Sequence, residues 1–203
     1  MTSPRPRSNI DRSQVNSLIS AAVSDDRSAM EKLARICLPR VRRTVTFSYG
    51  GGPNCEDLVQ AAMIKIFTRL DSFRFEASFF IWVDRITINI VRDSFKKRKF
   101  LFFFEDVTQL KVEQKSMPAR PDEEMEKFRL FERLSRHFAA ISPSRRVPLV
   151  LSLYQGYTVP EIAALLDVSF DTVKMRLRRG RSDLLKRIKK DPYCADAIKE
   201  LSR

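Results

Sequence analysis

Glycine is scarce in this chain, five in 203 residues, and histidine is scarcer still, at one. So few glycines argue against Gly-rich phosphate loops and against architectures of many hairpins, because both call for positive φ at turn after turn. The single histidine, His137, excludes any triad or metal set built on several imidazoles. The three cysteines, Cys37, Cys55 and Cys194, are odd in number, far apart and contain no CxxC pair. Neither a disulfide framework nor a zinc-ligand spacing is present, so no metal site, cofactor or catalytic residue is expected. Long hydrophobic runs are also missing. The longest, FFIWV (79–83) and FLFFF (100–104), fall far short of the ~20 residues a membrane span needs, so no membrane insertion is expected. The N-terminus, MTSPRPRSNIDRSQ, is basic but has no apolar stretch of the kind a signal peptide carries. With the cysteine usage, this points to the reducing cytoplasm.

Basic charge, in contrast, is abundant. Lys and Arg number 38 against 25 Asp and Glu, a net charge of +13. The excess is uneven: residues 1–100 carry +8, residues 101–125 carry −3 and residues 126–203 carry +8. Two basic blocks on one chain suggest a polyanion contacted twice, and nucleic acid is the natural candidate. The acidic middle, with MPARPDEE (117–124), reads as a linker.

In the first block, residues 13–24 and 27–38 read as helical, with Pro39 a point of breakage or kinking. After the turn GGGP (50–53), Asn54 is placed to cap a helix whose first turn carries Glu56 and Asp57, where the helix dipole favours negative charge. Val59, Met63, Ile66 and Leu70 mark its buried face, and its end is expected near Asp71-Ser72. A short loop follows, and Ser78 is placed to cap the next helix. There Phe79, Trp82, Val83, Ile86 and Ile90 cluster on one side of the wheel, while Arg85, Asn89, Arg92 and Lys96 form a polar stripe on another. That stripe runs into KKRK (96–99) and is expected to carry no balancing carboxylate.

In the second block, Phe128, Phe131, Leu134 and Phe138 mark one helix, and Pro143-Ser144 open another that ends at Gly156. Thr158-Val159-Pro160-Glu161 is a capping box with proline in the first turn. Asp167-Val168 forms a tight turn, and Ser169 caps a last helix running to about residue 188. Two short helices joined this way are a helix-turn-helix signature. On the last helix Val173, Leu177, Gly180, Leu184 and Ile188 share one side, which turns Thr172, Met175, Arg178 and Arg179 outward. Residues 174–190 hold nine Lys or Arg against the single Asp183. Such a helix suits a major groove, with its N-terminal half on bases and its flanks on phosphates.

Together the stretches EDLVQAAMIKIFTRLDSFRFEASFFIWVDRITINIVRDSFKKRK (56–99) and SPSRRVPLVLSLYQGYTVPEIAALLDVSFDTVKMRLRRGRSDLL (142–185) resemble the extracytoplasmic-function (ECF) sigma factors, group 4 of the housekeeping-type sigma family of bacterial RNA polymerase. The first stretch is the more specific, with Asp57-Leu58-Val59-Gln60, Leu70-Asp71, Phe73-Arg74 and a Trp82 helix bearing Arg85 and Asn89. The resemblance implies an all-α protein of two small helical domains joined by a linker, the C-terminal one a helix-turn-helix. Its divisions would be a flexible tail (1–12), a region 2 domain (13–99), a linker (100–124), a region 4 domain (125–190) and a C-terminal extension (191–203). It implies that Glu56, Asp57, Leu58 and Gln60 meet the polymerase. Arg74, Phe75, Glu76, Ser78, Arg85, Asn89, Arg92 and Lys96 would meet the −10 element, and Thr172, Lys174, Met175, Arg176, Arg178, Arg179 and Arg181 the −35 element. Core RNA polymerase and promoter DNA would be the partners, with an anti-sigma factor a further candidate. Two positions depart from the family pattern: Phe75 and Asp167 each stand where glycine is usual.

Two other classes compete. A helix-turn-helix regulator with an N-terminal sensing or dimerisation domain accounts for the second block but gives the cationic stripe on residues 85–96 no purpose. A nucleic-acid enzyme would need clustered carboxylates for metals. Asp57, Asp71, Glu76 and Asp84 suit caps and loops better, so a non-enzymatic role is expected.

Overall fold

A computed structural model describes residues 12–102 and 122–201. The N-terminal eleven residues and most of the expected linker, including the end of FLFFF, lie outside the described residues. Among those described, the secondary structure is helical throughout. The helices are α1 (Arg12–Val23), α2 (Arg27–Val45), α3 (Asn54–Phe67), α4 (Phe79–Phe102), α5 (Asp122–Ala139), α6 (Pro143–Leu153), α7 (Val159–Leu166), α8 (Phe170–Ile188) and α9 (Pro192–Leu201).

They sort into two compact units. Of the described residues, the first holds 12–45, 54–102 and 154–156, and the second holds 46–53, 122–153 and 157–201. Each unit therefore borrows a short segment from the part of the sequence that builds the other.

The first unit is built on α1 to α4. Val15 and Ile19 of α1, Leu33, Cys37 and Val41 of α2, Val59, Ala62 and Ile66 of α3, and Val83, Ile88 and Val91 of α4 are buried together. Spacings of three and four, with five between Val83 and Ile88 of α4, keep these side chains on one side of each helix, and burial of that side is the main stabilising term for helices of this length. Pro39 does not end α2, which runs on to Val45. Proline removes the N–H that the carbonyl of residue 35 would have accepted. Arg35 and Pro39 both lie on the exposed side, where water is available to that carbonyl.

Two further boundaries and faces differ from the periodicity. α3 stops at Phe67, and a separate 3-10 turn, Leu70–Ser72, carries buried Leu70 into the core. On α4, Ile88 and Val91 are fully buried while Ile90 is only half-buried. α4 also continues past residue 99 to Phe102, into the start of the expected linker.

The strongest polar feature of this unit is a buried ion pair. Asp84 is fully buried and accepts a forked pair of hydrogen bonds from Arg40, with Nε donating to Oδ1 at 2.9 Å. The Arg40 guanidinium also lies 5.1 Å from the Phe80 ring centroid. Asp84 is thus a core anchor between α2 and α4, not a cap or loop acid.

The second unit is built on α5 to α9 with residues 46–53. The chain leaves α2 through a wide turn, in which Gly51 N–H donates to the Thr46 carbonyl at 3.0 Å. That turn delivers Phe47, fully buried, edge-on to Phe131 at 4.8 Å and to Phe138 at 5.1 Å. Gly50 has φ +101, and a Cβ there would lie 2.8 Å from the Ala139 backbone, so glycine is required on both counts. Arg146, almost wholly buried, donates to the carbonyls of Ala139 at 2.8 Å and Tyr49 at 2.9 Å. It thereby satisfies an acceptor at the C-terminal end of α5.

The helix-turn-helix itself follows its local signals. The Glu161 carboxylate accepts both the backbone N–H and the hydroxyl of Thr158, each at 2.8 Å. Asp167 turns the chain in the left-handed region, at φ 55 and ψ 55, which Asp tolerates better than most residues. Ser169 then caps α8, accepting from the Thr172 N–H at 3.2 Å. Gly180 brings α8 close to α6, where even a methyl group would stand 3.2 Å from the Arg145 carbonyl oxygen.

Candidate nucleic-acid interface

In the first unit, the loop between the 3-10 turn and α4 presents an aromatic floor. Phe73 is buried and packs against Phe79 and Trp82, its ring centroid 5.5 Å from each, and Phe79 and Trp82 stack at 5.8 Å. Above this floor Phe75 is 40% exposed, its ring 5.0 Å from that of Phe73. Its φ is +58, a conformation that glycine adopts freely and an aromatic residue rarely does. The backbone thus has a shape that favours glycine, and the Phe75 ring is directed onto the aromatic cluster. Arg74, Glu76 and Ala77 around it are exposed, and Ser78 is half-buried, its carbonyl accepting the first hydrogen bonds of α4 from Ile81 and Trp82.

From that loop α4 carries Arg85, Asn89 and Lys96 exposed and Arg92 half-buried, on the side away from Val83, Ile88 and Val91. The stripe is not wholly unbalanced, because Lys96 lies 3.5 Å from Asp93, three residues before it. Both partners are exposed, and such a pair contributes little and is readily exchanged for another anion. Loop and stripe together form a surface with cations beside a half-open aromatic cluster.

On α3 of the same unit, Glu56, Asp57 and Gln60 are exposed and Leu58 is half-buried. Glu56 accepts from Arg42 of α2 at 2.8 Å. The exposed acidic end of α3 is therefore partly neutralised at Glu56, and no ion pair involving Asp57 appears among the described residues.

In the second unit, α8 turns Lys174, Met175, Arg178, Arg179 and Arg181 to solvent, with Met175 at 42% exposure. Arg176 is half-buried. Thr172 is half-buried too, and its hydroxyl is engaged by Ser169 at 2.7 Å. Arg181 donates to Ser152 of α6 at 3.3 Å, which steers its guanidinium along the helix pair. Sequence periodicity passed over one residue of this surface: Phe170, the first residue of α8, is 49% exposed. On the helical wheel Phe170 falls in line with Val173 and Leu177, three and seven residues on, so periodicity predicts a buried residue and misses its exposure.

Two family models match the chain in tandem: sigma-70 region 2 over residues 33–100, and sigma-70 region 4 over residues 131–184. The chain belongs to the sigma-70 family. Within it the chain is an ECF-type sigma factor. The ECF RNA polymerase sigma factor SigW of Bacillus subtilis is 23% identical over 171 residues, 81% of this chain and 91% of that protein. Two solved structures share the fold. One, the sigma factor RpoE of Bartonella quintana in complex with the anti-sigma factor NepR, is 18% identical with a TM-score of 0.59, covering 79% of this chain and 97% of that one. The other, CnrH in complex with the cytosolic domain of CnrY, is 23% identical with a TM-score of 0.55, covering 86% and 97%. Region 2 of this sigma factor thus includes the aromatic loop and the cationic side of α4, and region 4 includes most of α8.

Proposed function

We propose that this sigma factor binds core RNA polymerase through the exposed end of α3, opens promoter DNA at the −10 element with the 73–78 loop and α4, and reads the −35 element with α8. The observation that carries the reading is the surface formed by Phe75, the Phe73–Phe79–Trp82 cluster and the exposed Arg85, Asn89 and Lys96. Extruding a base costs a few kcal/mol, which a stacking face and cations along the strand offset. A sensing or dimerising domain has no use for such a surface.

In this reading Asp57, Gln60 and the half-buried Leu58 meet the polymerase, and Glu56 does so after leaving Arg42. Arg74, Phe75, Glu76 and Ser78 shape the base pocket, and Arg85, Asn89, Arg92 and Lys96 hold the strand. Lys174, Met175, Arg178 and Arg179 face bases, while Thr172, Arg176 and Arg181 lie nearer the phosphates. The role is binding without catalysis, the partners are core polymerase and promoter DNA, and the compartment is the cytoplasm. No helix among the described residues is long and apolar enough to cross a membrane. An anti-sigma factor is a further partner in this proposal, because both similar solved structures are complexes and one of them names an anti-sigma factor.

Two variants separate the steps. Asp57→Arg should lose capture of core polymerase in a pull-down and keep a cooperative thermal transition. The Asn89→Ala/Arg92→Ala double variant should be captured normally but leave promoter thymines unreactive to permanganate. Wild-type capture by the first, or wild-type footprints from the second, would overturn the corresponding assignment.

A further inference from the structure

The chain's single histidine, the aspartate that precedes α9 and the buried cysteine on its first turn meet at one point in the second unit. His137 Nε2 of α5 lies 2.9 Å from Asp191 Oδ2, and the ligand atoms of His137, Asp191 and Cys194 all lie within 4.8 Å of one another. Residues 137 and 191 are 54 apart in sequence, so no motif spacing announces the meeting. We propose that these three side chains form a binding site for a divalent d-block ion of the zinc type, which clamps the C-terminal helix α9 onto α5.

The donor set decides the class of ion. One imidazole nitrogen, one carboxylate oxygen and one thiolate sulfur suit Zn2+ or Co2+, whereas Mg2+ and Ca2+ require oxygen donors throughout. Tetrahedral zinc, with bonds of ~2.0–2.3 Å, needs its ligand atoms ~3.3–3.6 Å apart. That spacing asks the His137–Asp191 contact to open by a few tenths of an ångström from 2.9 Å and the thiol, within 4.8 Å of both, to draw inward.

The surroundings supply what a metal carboxylate needs. Arg133 Nη1 donates to Asp191 Oδ1 at 3.0 Å, leaving Oδ2 on the histidine side. Arg133 is itself held over the Tyr193 ring at 4.9 Å. Outer partners of this kind fix a ligand's orientation. Cys194 is fully buried, while the side chains of His137 and Asp191 retain 19% and 14% exposure, so an ion has an entry path and water a fourth coordination position. Burial pushes the Cys194 thiol up to about 11, so the ion must displace that proton on binding. Without metal, the same three groups form a hydrogen-bonded N-cap, with the Cys194 N–H donating to Asp191 Oδ1 at 3.3 Å.

The test uses the full chain, freed of metal with a chelator and titrated with Co2+. Expected is a thiolate-to-cobalt absorption band in the near ultraviolet that saturates at about one equivalent and bleaches when Zn2+ is added. Cys194→Ser should lack the band. His137→Gln, at a half-buried position that keeps a hydrogen-bonding side chain toward Asp191, should fold normally and weaken binding by at least roughly tenfold. Zn2+ should raise the thermal midpoint of the wild type but not of His137→Gln. The proposal fails if no band appears, if the band persists in Cys194→Ser, which would assign it to Cys55, or if His137→Gln binds and is stabilised as the wild type is.

Discussion

Asp84 sits wholly inside the first unit, and the guanidinium of Arg40 is what makes that tolerable. Removing one member of a buried pair strands the other's charge. Arg40 keeps some contact with solvent, which discounts the loss, so Asp84→Ala should cost about 2–4 kcal/mol in denaturant unfolding. Arg40→Met with Asp84→Leu should recover most of it, because two apolar side chains leave no charge unpaired. Equal losses for the single and double variants would refute the anchor. Cys37, packed beside this pair, is pushed by burial up to about 12, Arg40 lowering it and Asp84 raising it by smaller amounts. At pH 8 iodoacetamide should modify half-buried Cys55 in the native protein and reach Cys37 only in denaturant, as mass spectrometry of the peptides would read. The unfolded thiol ionises first, so the contribution of Cys37 to stability is present below pH ~9 and is lost as the pH rises toward 12. Modification of Cys37 at the rate of Cys55 would contradict its burial.

Among the helices, those read best from sequence are the ones whose signals are local. α7 and α8 begin where Thr158 and Ser169 cap them and turn at Asp167, because caps and left-handed turns depend on a few adjacent residues. Glu161→Ala removes the acceptor for two donors of Thr158 and should destabilise the second unit by about 0.5–2 kcal/mol in thermal unfolding, with no change at all counting against the cap. At Pro39 the sequence leaves a break or a kink open, and the structure removes the break: α2 continues, because the carbonyl that loses its donor lies on the exposed side, which sequence alone does not tell. The face of α4 was legible as apolar against cationic, yet its pairings were not. Asp84 finds its partner 44 residues away on α2, and Asp93 offsets a lysine that the wheel had left alone. The site residues on α8 could be oriented because Val173, Leu177 and Gly180 fix its buried side, whereas Phe170 and the meeting of His137 with Asp191 and Cys194 depend on tertiary packing that no periodicity records.

For the molecule as a whole, a net charge of +13 divided between two basic blocks fits a protein that meets a polyanion in two places. The two surfaces differ in chemistry: aromatic and cationic side chains at the start of α4, and exposed arginines with Met175 on α8. A bidentate Arg–guanine contact is worth ~1–3 kcal/mol of discrimination, so Arg178 and Arg179 should carry sequence preference. Backbone contacts should add affinity for every sequence and fade with salt. The most direct measurement is transcription by core RNA polymerase reconstituted with the purified chain on a library of genomic fragments, with RNA 5′ ends mapped. The account predicts discrete start sites absent with core enzyme alone, sharing −10 and −35 elements, with Arg178→Ala and Arg179→Ala relaxing preference at the −35 position only. Start sites no different from those of core enzyme alone would contradict it.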